Sequence, residues 1–216
     1  MPETAISLKD VGVSFGRKKI LQDITLDINK GEVVGIHGQN GAGKSTLLSV
    51  LAGILKTRRG EVNYFGEKLK SSKSKLGNFI AYVSQETVLY NSLTGLQNLR
   101  FWAGVNGVGE DRVKKLIVEM NLSEFVHEKV GRYSGGMRRR LNIATSLLNE
   151  PLILLLDEPT ANLDEESKDR VIESVLKYKN QGVTIIIVSH IMGDLMQICG
   201  RILTLQEGRI TGEVDL

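Results

Sequence analysis

The sequence predicts an α/β protein with a parallel-sheet core, an antiparallel β subdomain beside it and a helical insert. Three observations predict it. Four short segments, residues 33–36, 79–83, 152–156 and 184–188, are continuously apolar, the pattern of strands buried on both faces of a parallel sheet. Three others, residues 6–15, 21–28 and 61–65, alternate imperfectly; Leu26 and Ile28 fall on one face, Thr25 and Asp27 on the other, as in half-wet antiparallel strands. Between Thr94 and Lys129 the apolar spacing becomes helical.

Inside the insert, Thr94 and Gln97 match a capping box, with Leu96, Leu99 and Ala103 at helical spacing behind them. A break at residues 106–109 separates this helix from a second, whose stripe is Val113, Leu116, Ile117 and Met120. Residues 68–75 are polar and serine-rich, an expected exposed loop, and RILTLQEGRITGEV reads as a hairpin turning at Glu207-Gly208. With 216 residues, 41% of them hydrophobic, the chain suffices for one full core, so residues 1–216 read as one domain with a helical subdomain at about 88–135.

Composition excludes several classes of function. A net charge of +3 from scattered basic residues gives no footprint for nucleic acid. Cys199 stands alone, so no intrachain disulfide forms, as expected of a reducing cytosol. MPETAISLKD lacks the layout of a signal peptide, and the apolar runs are too short to cross a bilayer. Any membrane role therefore requires a partner chain.

The residues just beyond each apolar strand carry the chemistry. In an open parallel sheet, ligands sit beyond the carboxyl ends of the strands, so devices placed there converge on one crevice. The first strand leads into GQNGAGKST, in which Gly38, Asn40, Gly41, Ala42, Gly43, Lys44, Ser45 and Thr46 are candidates to cradle a nucleotide. The glycines let backbone N–H groups approach phosphate oxygens, Lys44 brings charge to the β- and γ-phosphates, and the Ser45 hydroxyl can ligate Mg2+. A strand before the loop and a helical pattern after it identify a P-loop NTPase core. Guanine specificity is excluded: Asn29-Lys30-Gly31-Glu32 ends in Glu, precedes the loop and reads as a turn, so ATP is the expected nucleotide. The other strands lead to Gln85, to Asp157-Glu158 and to Ser189-His190. Adjacent carboxylates at a buried strand tip suit a metal-holding and water-activating pair. Ser134-Gly135-Gly136 opens a long helical pattern, and such an N-terminus is both a simple cap site and an anion site.

The glycine loop, Gln85, YSGGM, LILLLDE, ANLD and His190 resemble, in order and approximate spacing, the nucleotide-binding subunits of ATP-binding cassette (ABC) transporters, over essentially the whole chain. The resemblance implies an ATPase that uses ATP and Mg2+. Asp157 resembles the magnesium-associated aspartate and Glu158 the general base. Gln85 is similar to the Mg2+-ligating glutamine that moves with the insert, and His190 to the switch histidine at the γ-phosphate. By the same resemblance, Ser134, Gly135 and Gly136 close over ATP held by a second ATP-binding subunit, in an expected homodimer. Asp164 links the two sites or simply caps the next helix. Phe15 resembles the aromatic that stacks on adenine, although an aromatic in an alternating strand also suits a core. Arg138, Arg139 and Arg140 read as a solvated helix face with partner contacts, the alternative being an anion patch, and His37 and His127 carry no implied role, His127 falling at a polar helix end. Met137 replaces a common glutamine, while Asn162 and Glu165 depart from the usual loop. The SGGMRRR form resembles single-domain exporter subunits. The implied setting is the cytoplasmic face of the membrane, bound to a membrane-spanning permease, with no nucleic acid. The alternatives are a soluble ABC ATPase acting on nucleic acid or ribosomes, whose tandem cassettes and coiled-coil insertions this sequence lacks, and a module that binds ATP without useful hydrolysis.

Overall fold

The computed structural model describes residues 3–67 and 79–216; the serine-rich loop predicted at 68–75 lies outside the described residues. Strands β1 (Thr4–Phe15) and β2 (Lys18–Asn29) form a hairpin, and β3 (Val33–His37) leads through the glycine loop into α1 (Lys44–Leu51) and then β4 (Arg59–Tyr64). Strand β5 (Ile80–Val83) precedes the insert helices α2 (Gly95–Asn106) and α3 (Glu110–Glu119) and a 3-10 turn at Val130–Arg132. Next come α4 (Gly135–Ser146), β6 (Ile153–Asp157), α5 (Glu165–Asn180), β7 (Thr184–Ser189) and α6 (Met192–Ile198). The final hairpin is β8 (Arg201–Gln206) and β9 (Arg209–Asp215).

The half-wet strands make a three-stranded antiparallel sheet, β2-β1-β4. The continuously apolar strands enter a six-stranded sheet in the order β5-β6-β7-β3-β8-β9, parallel except for the edge strand β9. The terminal hairpin thus extends the parallel sheet. Continuous apolarity is explained by cover on both faces. Leu154, Leu156, Ile185 and Ile187 enter the core shared with α4, α5, α6 and the insert. Their alternates Ile153, Leu155, Ile186 and Val188 enter the core under α1 and the antiparallel sheet. Each such fully buried aliphatic side chain contributes about 1.5–3 kcal/mol.

The predicted capping box is present at α2: Gln97 N donates to Thr94 Oγ1 at 3.1 Å, and Thr94 N donates to Gln97 Oε1 at 2.9 Å. Val113, Leu116 and Met120 are buried as the stripe predicts. The antiparallel sheet is locked to the glycine loop through the β8–β9 turn, where Gly208 N donates to Ala42 O at 3.1 Å and Gln22 N to Gly208 O at 2.8 Å. Gly208 has φ 75°, and a Cβ there would stand 2.1 Å from Ile20 O, so the turn requires glycine. No helix among the described residues is long and apolar enough to cross a membrane.

Candidate functional site

Register brings the predicted devices level. His37 pairs with Ser189, Val188 with Asp157, and Leu156 with Val83, so the four parallel strands end side by side. At those ends Asn40, Gln85, Glu158, Ala161, Asn162 and His190 line one crevice of about 370 Å3. A neighbouring hollow is lined by residues 38–42 of the glycine loop and by the β8–β9 turn. The loop wraps because Gly41 and Gly43 adopt φ 83° and 106°, a region open chiefly to glycine.

Lys44 and Glu158 are buried and are joined in a chain with the exposed His190. Lys44 Nζ donates to Gly38 O at 2.7 Å and to Gln39 O at 3.3 Å, and lies 3.4 Å from Glu158 Oε1. The other oxygen of Glu158, Oε2, is 2.9 Å from His190 Nδ1 and accepts from His190 N at 3.4 Å. Glu158 itself sits at φ 48°, a left-handed conformation uncommon outside glycine, fixed by Glu158 N donating to Val188 O at 3.0 Å. Ser45 and Thr46 occupy the first turn of α1, beside Lys44.

Asp157 fits a cation. Its Oδ2 accepts from the Tyr82 hydroxyl at 3.2 Å, whereas Oδ1 is buried with no hydrogen-bond partner. A buried carboxylate oxygen with free lone pairs suits a hard divalent ion such as Mg2+. Among the described residues, no group of three or more His, Cys, Asp and Glu side chains is arranged to hold a metal ion by itself.

The predicted helix caps both form. Met137 N donates to Ser134 Oγ at 3.2 Å, and Ser167 N donates to Asp164 Oδ1 at 2.9 Å. The bond from Ser167 holds the Asp164 carboxyl below the usual carboxylate range. Ser134 and Gly135 are exposed, while Gly136 packs so closely on α5 that a Cβ would lie 2.5 Å from Ser167 Oγ. None of Ser134, Gly135, Gly136 or Asp164 lines the crevice. Phe15 ends β1 with 56% of its surface exposed, so it is no core residue.

The three arginines of α4 correct the sequence reading. Arg139 and Arg140 are buried, at 7% and 5% exposure, and only Arg138 lies at the half-buried edge. Arg139 donates to Ser84 O at 3.1 Å and to Glu158 O at 3.3 Å, with Asp157 and Glu158 as its charged neighbours. Arg140 lies over the Phe125 ring, 4.9 Å from its centroid, and donates to Asn121 O at 2.9 Å. These guanidinium groups face inward because carbonyl oxygens at strand and helix ends await donors there. His127 sits in a turn rather than at a helix end. Tyr82 is a site neighbour that motif reading passed over, and Arg139 one that it placed in solvent. Tyr82 had a signal, a hydroxyl-bearing ring in an otherwise apolar strand.

Comparison with known proteins agrees with this geometry. The family model for the ABC transporter matches residues 21–161. The linearmycin resistance ATP-binding protein of Bacillus subtilis (strain 168) is 33% identical over 209 residues, covering 95% of this chain and 67% of that protein. The lantibiotic transport ATP-binding protein of Streptococcus pyogenes is 32% identical over 211 residues, covering 97% of this chain and 90% of that protein. Among solved structures, a dimeric ATP-binding cassette in a post-hydrolysis state bound to ADP and Pi superposes with a TM-score of 0.85 at 28% identity, covering 98% of both chains. The ADP conformation of another ABC cassette gives a TM-score of 0.90 at 24% identity over 99% of this chain and 91% of that one, a likeness of fold. With its glycine loop, paired strand-end carboxylates and polar crevice in this arrangement, the chain belongs to the ABC transporter family as an ATP-binding, ATP-hydrolysing cassette.

Proposed function

We propose that this cassette powers a membrane exporter as one of two copies that close around ATP, bound on the cytoplasmic face to a membrane-spanning permease. The observation that carries the reading is the chain Lys44–Glu158–His190 at the strand ends, from which the exposed Ser134-Gly135 pair is excluded. A crevice with its lysine, base and histidine in place, and its predicted anion-binding helix start facing solvent, is completed by a second copy. One of the similar solved structures is a dimer, which supports this. Export is supported by relatives described as linearmycin resistance, lantibiotic transport and daunorubicin resistance proteins.

In this reading the triphosphate draws Lys44 Nζ away from the carbonyls of Gly38 and Gln39, and Glu158 loses its cation. Glu158 then accepts a proton from water as the water oxygen attacks the γ-phosphorus; the bond to the bridging oxygen breaks and ADP departs with the electron pair. His190, held by Nδ1 on Glu158, presents Nε2 toward the γ-phosphate. The remaining loop residues from Gly38 to Thr46 hold the phosphates, and Phe15, exposed at the β1 end, stacks on adenine. Asp157, Ser45 and Gln85 would hold Mg2+, which would supply charge neutralisation at the phosphate oxygens. Val88, Tyr90 and Phe101 form an exposed apolar face on the insert side of Gln85, the surface assigned here to the permease. Relative to wild type, Glu158→Gln is expected to bind ATP normally and release phosphate at least about a hundredfold more slowly, near 2.7 kcal/mol. Near-normal turnover would refute Glu158 as the base.

A further inference from the structure

Strand β5 delivers two polar groups to the site. Gln85 lies just past its end, and Tyr82 lies inside it, paired with Leu155 two residues before Asp157, the last residue of β6. The phenol of Tyr82 packs against the core on the α1 side, and its hydroxyl donates to Asp157 Oδ2 at 3.2 Å. The partner oxygen Oδ1 is buried and unbonded. The Tyr82 hydroxyl also interacts with Ser49, whose Oγ donates to Ser45 O at 2.8 Å. One hydroxyl therefore stands between the strand that ends in Asp157 and the helix turn that carries Ser45.

We propose that Tyr82 is a positioning residue for the divalent cation: by occupying Asp157 Oδ2 it fixes the carboxylate plane and leaves Oδ1 as the oxygen offered to the metal. The inference rests on the reading of Asp157 as a metal-associated carboxylate. The physical argument is one of rotamer and lone pairs. A carboxylate with neither oxygen bonded turns about its terminal torsion, which is broad, and exposes no single oxygen. A buried O–H donor on one oxygen removes that freedom and lets the other meet the ion without reorganisation. Tyr82 suits the task because a phenol is a neutral O–H donor at physiological pH, and here its hydroxyl already donates to Asp157 Oδ2. A lysine or arginine in that place would neutralise the carboxylate and weaken its hold on a cation. Gln85, downstream of the same strand, shares the backbone that seats Tyr82, so movement of the insert reaches the metal carboxylate by this route as well.

The test uses Tyr82→Phe, which keeps the ring and its packing and removes only the hydroxyl. Mn2+ is the probe, its binding followed by electron paramagnetic resonance in the presence of a non-hydrolysable ATP analogue. A parallel fluorescence titration measures binding of the same analogue in EDTA. The expected result is Mn2+ affinity reduced about tenfold or more, with analogue affinity in EDTA unchanged. Unchanged Mn2+ affinity overturns the proposal, and so does a parallel loss in EDTA, which would make Tyr82 a support of the pocket alone. Asp157→Asn serves as the separate control. Retention of full Mn2+ affinity in that variant defeats the reading of Asp157 itself, an outcome distinct from failure at Tyr82.

Discussion

The strand-end crevice and the helical insert finish their surfaces in opposite ways. In the crevice Lys44, Asp157 and Glu158 are buried and polar, tied to backbone carbonyls, to each other's neighbours or to His190. On the insert, large apolar side chains stand exposed among charged ones: Tyr90 and Phe101 stack edge to face with ring centroids 5.0 Å apart, and Val105 and Val118 are exposed nearby in the sequence. The first surface offers polar groups to phosphate, and the second is the face assigned above to the permease. What joins them is α4. Its Arg138 donates to Asn91 Oδ1 at 2.7 Å in the approach to the insert, and its Arg139 donates to the carbonyls of Ser84 and Glu158. The insert and the strand-end site are thus bonded to one helix, which Ser134 caps, the residue assigned above to the second copy.

The comparison can be broken from either side. The largest expected effect is on the sheet. Leu155→Ala empties a fully buried position beneath the carboxylate pair, and a loss of about 2–5 kcal/mol in a denaturant melt is expected. The link comes next. Arg139→Gln removes a buried guanidinium from two carbonyls and from the neighbourhood of both carboxylates, and turnover is expected to fall about tenfold or more, near 1.4 kcal/mol, with ATP affinity little changed. Equal loss of affinity and turnover would mean that Arg139 supports the fold alone. The smallest effect belongs to the insert: Thr94→Ala breaks the capping box of α2 and should cost about 1 kcal/mol of stability, leaving ATP turnover of the isolated subunit intact.

The strands were legible because burial on both faces writes an uninterrupted apolar run, and the strand-end residues because a polar group directly after such a run has few other places to go. The caps at Thr94, Ser134 and Asp164 were legible because each is a local bond over three residues. Arg139 was not, since its acceptors lie 55 and 19 residues away and nothing local separates a solvated arginine from a buried one. Arg140 failed for the same reason. Phe15 was ambiguous because alternation places a ring on a strand face without saying where the sheet's cover ends. The structure ends it before residue 15, leaving the ring exposed.

Completion of the crevice by a second copy is the central claim, and light scattering of Glu158→Gln with and without MgATP tests it most directly. The account predicts a monomer without nucleotide, doubling in mass with MgATP, and no doubling when Ser134→Arg is added. A mass that stays single with bound ATP, or a dimer indifferent to Ser134→Arg, would contradict it.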